Sequence, residues 1–348
     1  MSTSNREPLL NLSKVLAYLL LGGVLNIVGP TASSGAQSPP ASKTLFRFEA
    51  INDKSLGLWE GERAVLVYNH SAISRPSVPT AQSRSSYFHP IYGLDGEVLT
   101  DDFPKDHVYH RGLYWAWPHI RIADQEYDYW SVRGIRTEFR RWIAQEIKSS
   151  VAVLGVENEW FVGDKEVMAE KVRIEVHPAS SESRAIDIEL TWTPTDRPVT
   201  LWGAEGKSYG GLTLRYGPRS KTIITVPAGR TSDDLVVTRL AWADLSGDFV
   251  QNANNLSGAA VFVHPEHPDY PPTWMTRHYG MLAVGWPGVT PQTFPVGKSF
   301  SCRYRLWIHR GAPEAAVIQK AYEAYCASVK LPRDVERRAS QPRGKWSH

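Results

Sequence analysis

Cysteine is almost absent from the sequence: the 348 residues contain only Cys302 and Cys326. A network of several disulfides is therefore excluded, and the fold must depend on a hydrophobic core, for which a 42% content of hydrophobic residues suffices. Cys302 lies in an alternating, strand-like segment, and Cys326 lies at the end of a predicted helix. Two states stay open for them, one disulfide that joins the helix to the sheet or two buried free thiols.

The short motifs that bind nucleotides or build common hydrolase sites are also missing. The sequence has no dinucleotide fingerprint, phosphate-binding loop, nucleophile elbow or HExxH pattern. These absences argue against a nucleotide cofactor and against serine-hydrolase chemistry. We therefore expect no organic cofactor.

A strong charge of either sign is missing as well. The formal net charge is +3, and the positive excess lies in the first 36 residues and in the tail from Arg333 onward. The body between them is nearly neutral, so it offers no electrostatic footprint for nucleic acid. A small-molecule partner is expected instead.

Long apolar runs are missing beyond the N-terminus. Residues 15–29 form an apolar run that follows Arg6 and Lys14 and precedes the small residues Ser34 and Ala36. This order predicts a signal peptide over residues 1–36 and a Pro/Ser linker over residues 37–43. A membrane anchor is the alternative, but the run is shorter than the roughly 20 residues of a span. We expect export to the periplasm or the cell exterior, with no membrane span after cleavage.

Alternation of apolar and polar residues dominates the sequence from residue 44. In residues 184–192, Ile186, Ile188 and Leu190 alternate with polar residues, which is the period of a half-buried strand. Many such segments predict an all-β fold, an antiparallel β-sandwich, as a single domain over residues 44–332. Thirteen Trp and fifteen Tyr suit both sheet surfaces and the stacking walls of sugar sites.

One helix is predicted near the C-terminus, in residues 312–329. Apolar residues recur there at helical spacing, and Pro313 suits a first helical turn. The expected buried stripe consists of Val317, Ile318, Ala321, Tyr322 and Tyr325. Residues 333–348 lack a period and predict a disordered basic tail.

The densest cluster of polar and aromatic residues is residues 100–117, TDDFPKDHVYHRGLYWAW. On an ideal strand, His107 and His110 would face opposite sides, so they share a pocket only if the chain bends between them. Histidine exchanges protons near neutral pH, which makes both candidates for general acid–base catalysis. Arg111 is a candidate for binding a carboxylate or an alkoxide. We expect residues 106–111 to face a site and residues 112–117 to anchor it to the core.

Two further segments carry candidate site residues. The Pro-rich residues 261–280 contain His264, Tyr270, Trp274 and Arg277, which we assign to substrate binding. The Gly-rich residues 202–217 contain a candidate base, Glu205, and two candidate binding residues, Lys207 and Arg215.

A metal site is an alternative use of the histidines. His107, His110 and His264 with one carboxylate could form a metal site that keeps an open position. The HxxH spacing on a non-helical segment is weak evidence, so a site without metal is preferred.

Taken together, these motifs resemble the PmoA-like family of bacterial proteins. The resemblance rests on residues 87–117, EGKSYGGLTLRYG (205–217), residues 261–280 and FPVGKSFSCRYRLWIHRG (294–311). The family label implies a subunit of a methane oxygenase. That subunit spans the membrane several times, whereas this chain has no span after its predicted signal.

The pattern HxxHRG followed by Trp is more distantly similar to galactose-mutarotase-like supersandwich proteins. That similarity implies a sugar held on a concave sheet, with His107 or His110 as the acid and Glu205 as the base. We therefore expect an exported carbohydrate-active enzyme, an epimerase, lyase or hydrolase. A non-catalytic glycan-binding protein is the first alternative, and a metal-dependent oxidative enzyme is the second.

Overall fold

The computed structural model describes residues 45–76, 78–148, 150–249 and 255–330. The predicted signal peptide, linker and C-terminal tail lie outside these residues. All the described residues belong to one compact unit of the chain.

Strands make up most of the described chain. In the N-terminal half they are β1 Phe46–Asn52, β2 Ser55–Glu60, β3 Arg63–Asn69, β4 Tyr87–Ile91, β5 Leu113–Ala116, β6 His119–Ile122, β7 Gln125–Tyr127, β8 Arg136–Lys148, β9 Val151–Val162, β10 Lys165–Val176 and β11 Ser183–Pro194. In the C-terminal half they are β12 Val199–Trp202, β13 Gly211–Arg215, β14 Ser220–Val226, β15 Gly229–Thr231, β16 Thr238–Arg239, β17 Trp242–Asp248, β18 Ser257–Val263, β19 Thr273–Arg277, β20 Met281–Gly285, β21 Gln292–Phe294 and β22 Phe300–Arg310. A 3-10 turn covers Thr80–Gln82, and helix α1 covers Ala315–Lys330.

These strands form three antiparallel sheets. Sheet one has the order β1-β2-β3-β4-β5-β13-β20-β19-β16, and sheet two has the order β15-β14-β17-β18-β22-β11-β10-β9-β8. Sheet three is smaller, with the order β21-β12-β6-β7. Neighbouring strands pair antiparallel, as β13 does with β5 and with β20.

The two large sheets pack face to face. Phe88 and Leu113 of sheet one lie opposite Ile174 and Ile188 of sheet two, and all four are buried. Burial alternates along β11, as period two requires. The predicted antiparallel β-sandwich with one C-terminal helix is confirmed.

A buried carboxylate links the two sheets. Glu170 on β10 of sheet two has no exposed surface. It accepts hydrogen bonds of 2.6 to 3.0 Å from Trp115, Trp160, Trp192, Ser86 and Asn158. Trp115 belongs to β5 of sheet one, next to the loop that carries His107 and His110. These hydrogen bonds replace the ones that the carboxylate would make with water. Without them, burying Glu170 in the core would cost free energy.

Helix α1 packs on the outer face of sheet two. Ile318, Tyr322 and Tyr325 are buried against Trp242 and Phe262. The predicted helix is confirmed, although it begins at Ala315, two residues after Pro313.

The predicted helical stripe is wrong in one member. Val317 is 53% exposed, because it lies one residue, and therefore about 100° around the helix, from the fully buried Ile318.

The two cysteines are free thiols, so the possible disulfide is not formed. Cys302 packs in the core between the large sheets, whereas Cys326 packs with the helix cluster. The two side chains therefore belong to different clusters. Burial raises the pKa of the Cys302 thiol to about 12.

Candidate functional site

The loop between β4 and β5 bends where the sequence required it. His107 N–H donates to the Pro104 carbonyl at 3.1 Å, and His110 N–H donates to the His107 carbonyl at 2.8 Å. These two turns place the rings of His107 and His110 in parallel, with centroids 4.6 Å apart. Both histidines consequently line one cavity.

Arg111 holds this loop together from inside. Its guanidinium donates to the carbonyls of Val108, His110 and Gln82 at 2.7 to 2.8 Å. It also lies 3.5 Å from the ring centroid of Phe103 and has no exposed surface. The sequence assigned Arg111 to substrate binding, but its Nη atoms donate to backbone carbonyls and its Nε lies 3.5 Å from Asp102. It shapes the site without lining it.

His107 is held by a carboxylate and an arginine. Its Nδ1 lies 3.0 Å from Oδ2 of Asp106, and Nη2 of Arg215 donates to both Asp106 oxygens at 2.8 and 2.9 Å. Burial alone would raise the pKa of Asp106, but His107 and Arg215 outweigh it and lower that pKa. Asp106 is therefore an anion in close contact with Nδ1 of His107, without the alignment of a hydrogen bond.

His110 is more deeply buried than its neighbour. It is 1% exposed, whereas the His107 side chain is 32% exposed; among the described residues the Nδ1 atoms of both lack a hydrogen-bond partner. Burial lowers the pKa of His110 to about 2, and His107 and Arg215 act in the same direction. The sequence proposed either histidine as the acid. Because burial keeps His110 neutral, His107 is the one of the two that stays a candidate for proton transfer.

The His107 cavity has a volume of about 300 Å³. It lies beside the ends of β19 and β20. Its walls are His107, Tyr109, His110, Trp130, Lys207, Tyr209, Met275, Arg277, Tyr279 and Met281. A volume of this size is at the lower end of small-molecule sites. Four of its walls are Tyr or Trp rings, which suits the flat faces of a sugar.

Three segments that are far apart in the sequence meet at this cavity. Lys207 and Arg277 line it as predicted binding residues, together with His107. Glu205 lies in the exposed turn before β13, two residues from Lys207, and is outside the cavity lining. Arg215 reaches the site through Asp106.

The other predicted binding residues lie elsewhere. Trp274 is fully buried and donates to the Leu240 carbonyl, so it belongs to the core. The hydroxyl of Tyr270 lies 2.7 Å from that of Tyr322 on helix α1. His264 lines a separate cleft of about 70 Å³ with Tyr325.

The alternative metal site is not assembled. His264 lies in a different cleft from His107 and His110. Across the part of the chain that the structure describes, no three His, Cys, Asp or Glu side chains are grouped to hold a metal ion. The described residues therefore do not fit the metal reading.

Several lining residues were not singled out by the sequence. Tyr109, Tyr209 and Tyr279 lie inside the three predicted segments, so their proximity to named candidates was an available signal. Trp130 lies in a loop after β7, outside the three predicted segments, so no sequence signal pointed to it. Its ring contacts Tyr209 and His110 with centroids 4.4 and 5.5 Å away.

A second cavity adjoins the first across Tyr279. It has a volume of about 610 Å³, and its walls include Arg215, Arg219, Asp101 and Asp102. Burial raises the pKa of Asp102 to about 6, although Arg111 opposes this shift. The His107 cavity thus adjoins a larger open cavity whose walls carry both arginine and aspartate side chains.

The described residues include no helix that is both long and apolar enough to cross a bilayer. No curated protein matches the chain. A family profile described as a family of unknown function (DUF6807) matches residues 57–323. This match does not bear on the PmoA-like or mutarotase-like resemblance, which stay predictions. It spans most of the sequence and includes every residue of the His107 cavity, so the chain belongs to the DUF6807 family.

Proposed function

We propose that this protein is a carbohydrate-active enzyme in which His107 transfers protons to or from a bound sugar or glycoside. The observation that carries the proposal is the contact of His107 with Asp106 at the wall of an aromatic cavity. An imidazole whose Nδ1 lies beside a carboxylate leaves Nε2 as its reacting nitrogen. Substrate in the cavity would meet that nitrogen.

The partner for His107 is a tyrosine rather than Glu205. Tyr279 stacks on His107 with ring centroids 5.3 Å apart. Burial raises the pKa of Tyr279 to about 12, so its phenol stays protonated and is a proton donor. His107 can then accept a proton while a phenol donates one, as epimerisation, elimination and glycoside cleavage all require.

The fold and the aromatic walls also fit a non-catalytic glycan-binding protein. Tyr109, Trp130, Tyr209 and Tyr279 offer ring faces for stacking whether or not a reaction follows. The paired His107 favours the enzyme, because stacking alone gives no use for a carboxylate-oriented imidazole. The PmoA-like and mutarotase-like resemblances support a role in the site for the segment that carries His107, residues 100–117.

The test is a screen of sugars, oligosaccharides and oxidised glycosides with three proteins. These are the wild type, His107→Gln and the matched control His119→Gln. His119 is a good control because it is similarly exposed and lies 2.6 Å from Glu126 on another sheet. We expect turnover by the wild type and the control, with a loss of about 100-fold or more in His107→Gln.

Equal turnover by His107→Gln and the wild type would contradict the proposal. Binding across the panel without any turnover would favour the glycan-binding alternative.

The N-terminal pattern supports export as a further part of the proposal. Fractionation of cells that express the full chain should place the mature protein in the periplasm or the medium. Recovery of uncleaved protein from the cytoplasm would contradict this.

A further inference from the structure

The walls of the His107 cavity carry charge of one sign. Lys207 and Arg277 are its charged side chains, and none of the lining residues that the structure describes is Asp or Glu. A site for a neutral sugar usually relies on polar groups that donate and accept hydrogen bonds. This lining, by contrast, offers two cations and no anionic acceptor.

We propose that the substrate is an anionic sugar whose negative group is held by Lys207 and Arg277, with a carboxylate favoured over a sulfate. This inference rests on the proposed function, since it names the substrate class of the same cavity. The planar guanidinium of an arginine matches the two oxygens of a carboxylate.

Arg277 is held in place for this role. Its Nη1 donates to the Thr276 carbonyl at 2.9 Å and to the Leu235 carbonyl at 3.3 Å, and its Nε lies 3.9 Å from Asp234. Within the described chain no hydrogen bond is made by its Nη2, which leaves that nitrogen for a ligand. A cation whose position is already fixed loses little side-chain entropy when it binds.

Lys207 is placed by a tight turn. Its N–H and that of Ser208 both donate to the Ala204 carbonyl, at 3.2 and 2.8 Å. Its ammonium group makes no ion pair among the residues described here, so its charge is available. Arg277 lies on β19 and Lys207 in the turn before β13, so the two cations reach the cavity from different segments.

Three carboxylates contact residues at or beside the cavity and have partners of their own. Asp106 is engaged by Arg215 and His107. Asp234 accepts from the backbone and the ring of His278, both at 2.8 Å. Asp128, behind the tyrosines, is engaged by Ser131 and Arg133. Each of these anions lies outside the lining and has a further partner, although Asp234 also lies 3.9 Å from Nε of Arg277. The lining itself therefore carries two cations and no carboxylate.

The experiment compares sugars that differ in the group at C6, which is a carboxylate, a hydroxyl or a sulfate. Methyl glucuronide, methyl glucoside and methyl glucoside 6-sulfate are titrated into the full chain by calorimetry, and the galacto series is used in parallel. We expect the uronide to bind at least about tenfold more tightly than the neutral sugar, with a preference that falls as salt is added. Tighter binding of the sulfate than the uronide would overturn the choice of carboxylate.

Three variants locate the charge that recognises the sugar. Lys207→Gln and Arg277→Gln should each reduce the preference for the uronide, whereas Lys298→Gln, in an exposed turn, should keep it. Thermal melting checks that all three are folded. An unchanged preference in both site variants would overturn the inference.

The failure of this inference can be told from the failure of the proposed function. Equal binding of neutral and acidic sugars, with turnover that depends on His107, would remove the anionic substrate and keep the enzyme. A clear preference for the uronide without any turnover would support the anionic ligand and count against catalysis.

Discussion

The rings of His107 and His110 lie parallel, 5° apart in plane and 4.6 Å apart in centroid, yet only one of them is open to solvent. The His107 side chain is 32% exposed, whereas His110 is 1% exposed. Two identical side chains three residues apart therefore differ in exposure. In the proposed reaction, His107 exchanges protons with the substrate, and the neutral His110 packs against its ring.

Replacing Asp106 with Asn should weaken catalysis without unfolding the protein. The carboxylate 3.0 Å from Nδ1 of His107 is replaced by a neutral amide, so we expect kcat/KM to fall on the order of 10- to 100-fold. The measurement is kcat/KM at neutral pH, with Asp124→Asn, in an exposed turn, as the control. A kcat/KM equal to that of the wild type would show that Asp106 does not act on His107.

Replacing Glu170 with Ala should destabilise the fold strongly. Three indole N–H groups would lose their acceptor in the core, so we expect a loss of at least about 3 kcal/mol in the free energy of unfolding. Urea unfolding measures it. Glu175→Gln, on the same strand but half-exposed, should cost less than about 1 kcal/mol. Similar costs for the two variants would contradict the role given to the network.

The buried histidines should make stability fall on acidification. Burial lowers the pKa of His267 to about 4, compared with about 6.5 in the unfolded chain. The contribution of the neutral His267 to the free energy of unfolding is therefore intact above about pH 6.5. It is lost at about 1.4 kcal/mol per pH unit as the pH falls towards 4. Urea unfolding between pH 7.5 and 4.5 should show a shallower loss in His267→Gln than in the wild type.

His309 provides a control of opposite sign. Burial opposes its protonation, but Asp244, 2.7 Å from its Nε2, outweighs burial and raises the pKa of His309. Its stabilisation is present at low pH and is lost as the pH rises through the folded-state pKa. His309→Gln should therefore steepen the loss on acidification. If His267→Gln and His309→Gln changed the loss of stability on acidification in the same direction, the opposite pKa shifts assigned to the two histidines would be wrong.

The two thiols should react at different rates. Cys326 is half-buried and Cys302 is buried, with a thiol pKa raised to about 12. An alkylating reagent should modify Cys326 first and Cys302 only after denaturation, because the thiolate is the reactive form. Mass spectrometry of the native and unfolded protein measures this. A mass two units lower with no alkylation, restored by reductant, would show a disulfide instead.

Local patterns predicted the fold because they report local geometry. Alternation along β11 and helical spacing in α1 follow directly from how side chains project from strands and helices. The bend between His107 and His110 was also predictable, since an ideal strand could not bring both rings to one pocket. Val317 was wrongly predicted to be buried, because an apolar residue at the edge of a helical stripe can face either the core or the solvent.

The pairing of the site residues was not predictable in the same way. Asp106 and Arg215 are 109 residues apart, and only the order of strands in sheet one brings them together. Arg111 and Trp274 have side chains typical of binding sites, but burial assigns them to the loop interior and the core. A single sequence names the type of a side chain and leaves its exposure to the tertiary structure.

The Glu170 network ties residues on both large sheets to one another. The carboxylate and its three tryptophans come from β10, β5, β9 and β11. Loss of Glu170 would leave three indole N–H groups without this acceptor, and loss of any one tryptophan would remove one donor from the buried carboxylate. Substitution at these four positions is therefore expected to be concerted among related sequences. Because β5 directly follows the loop that carries His107, substitutions at these four positions should also be accompanied by changes in the geometry of the proposed site.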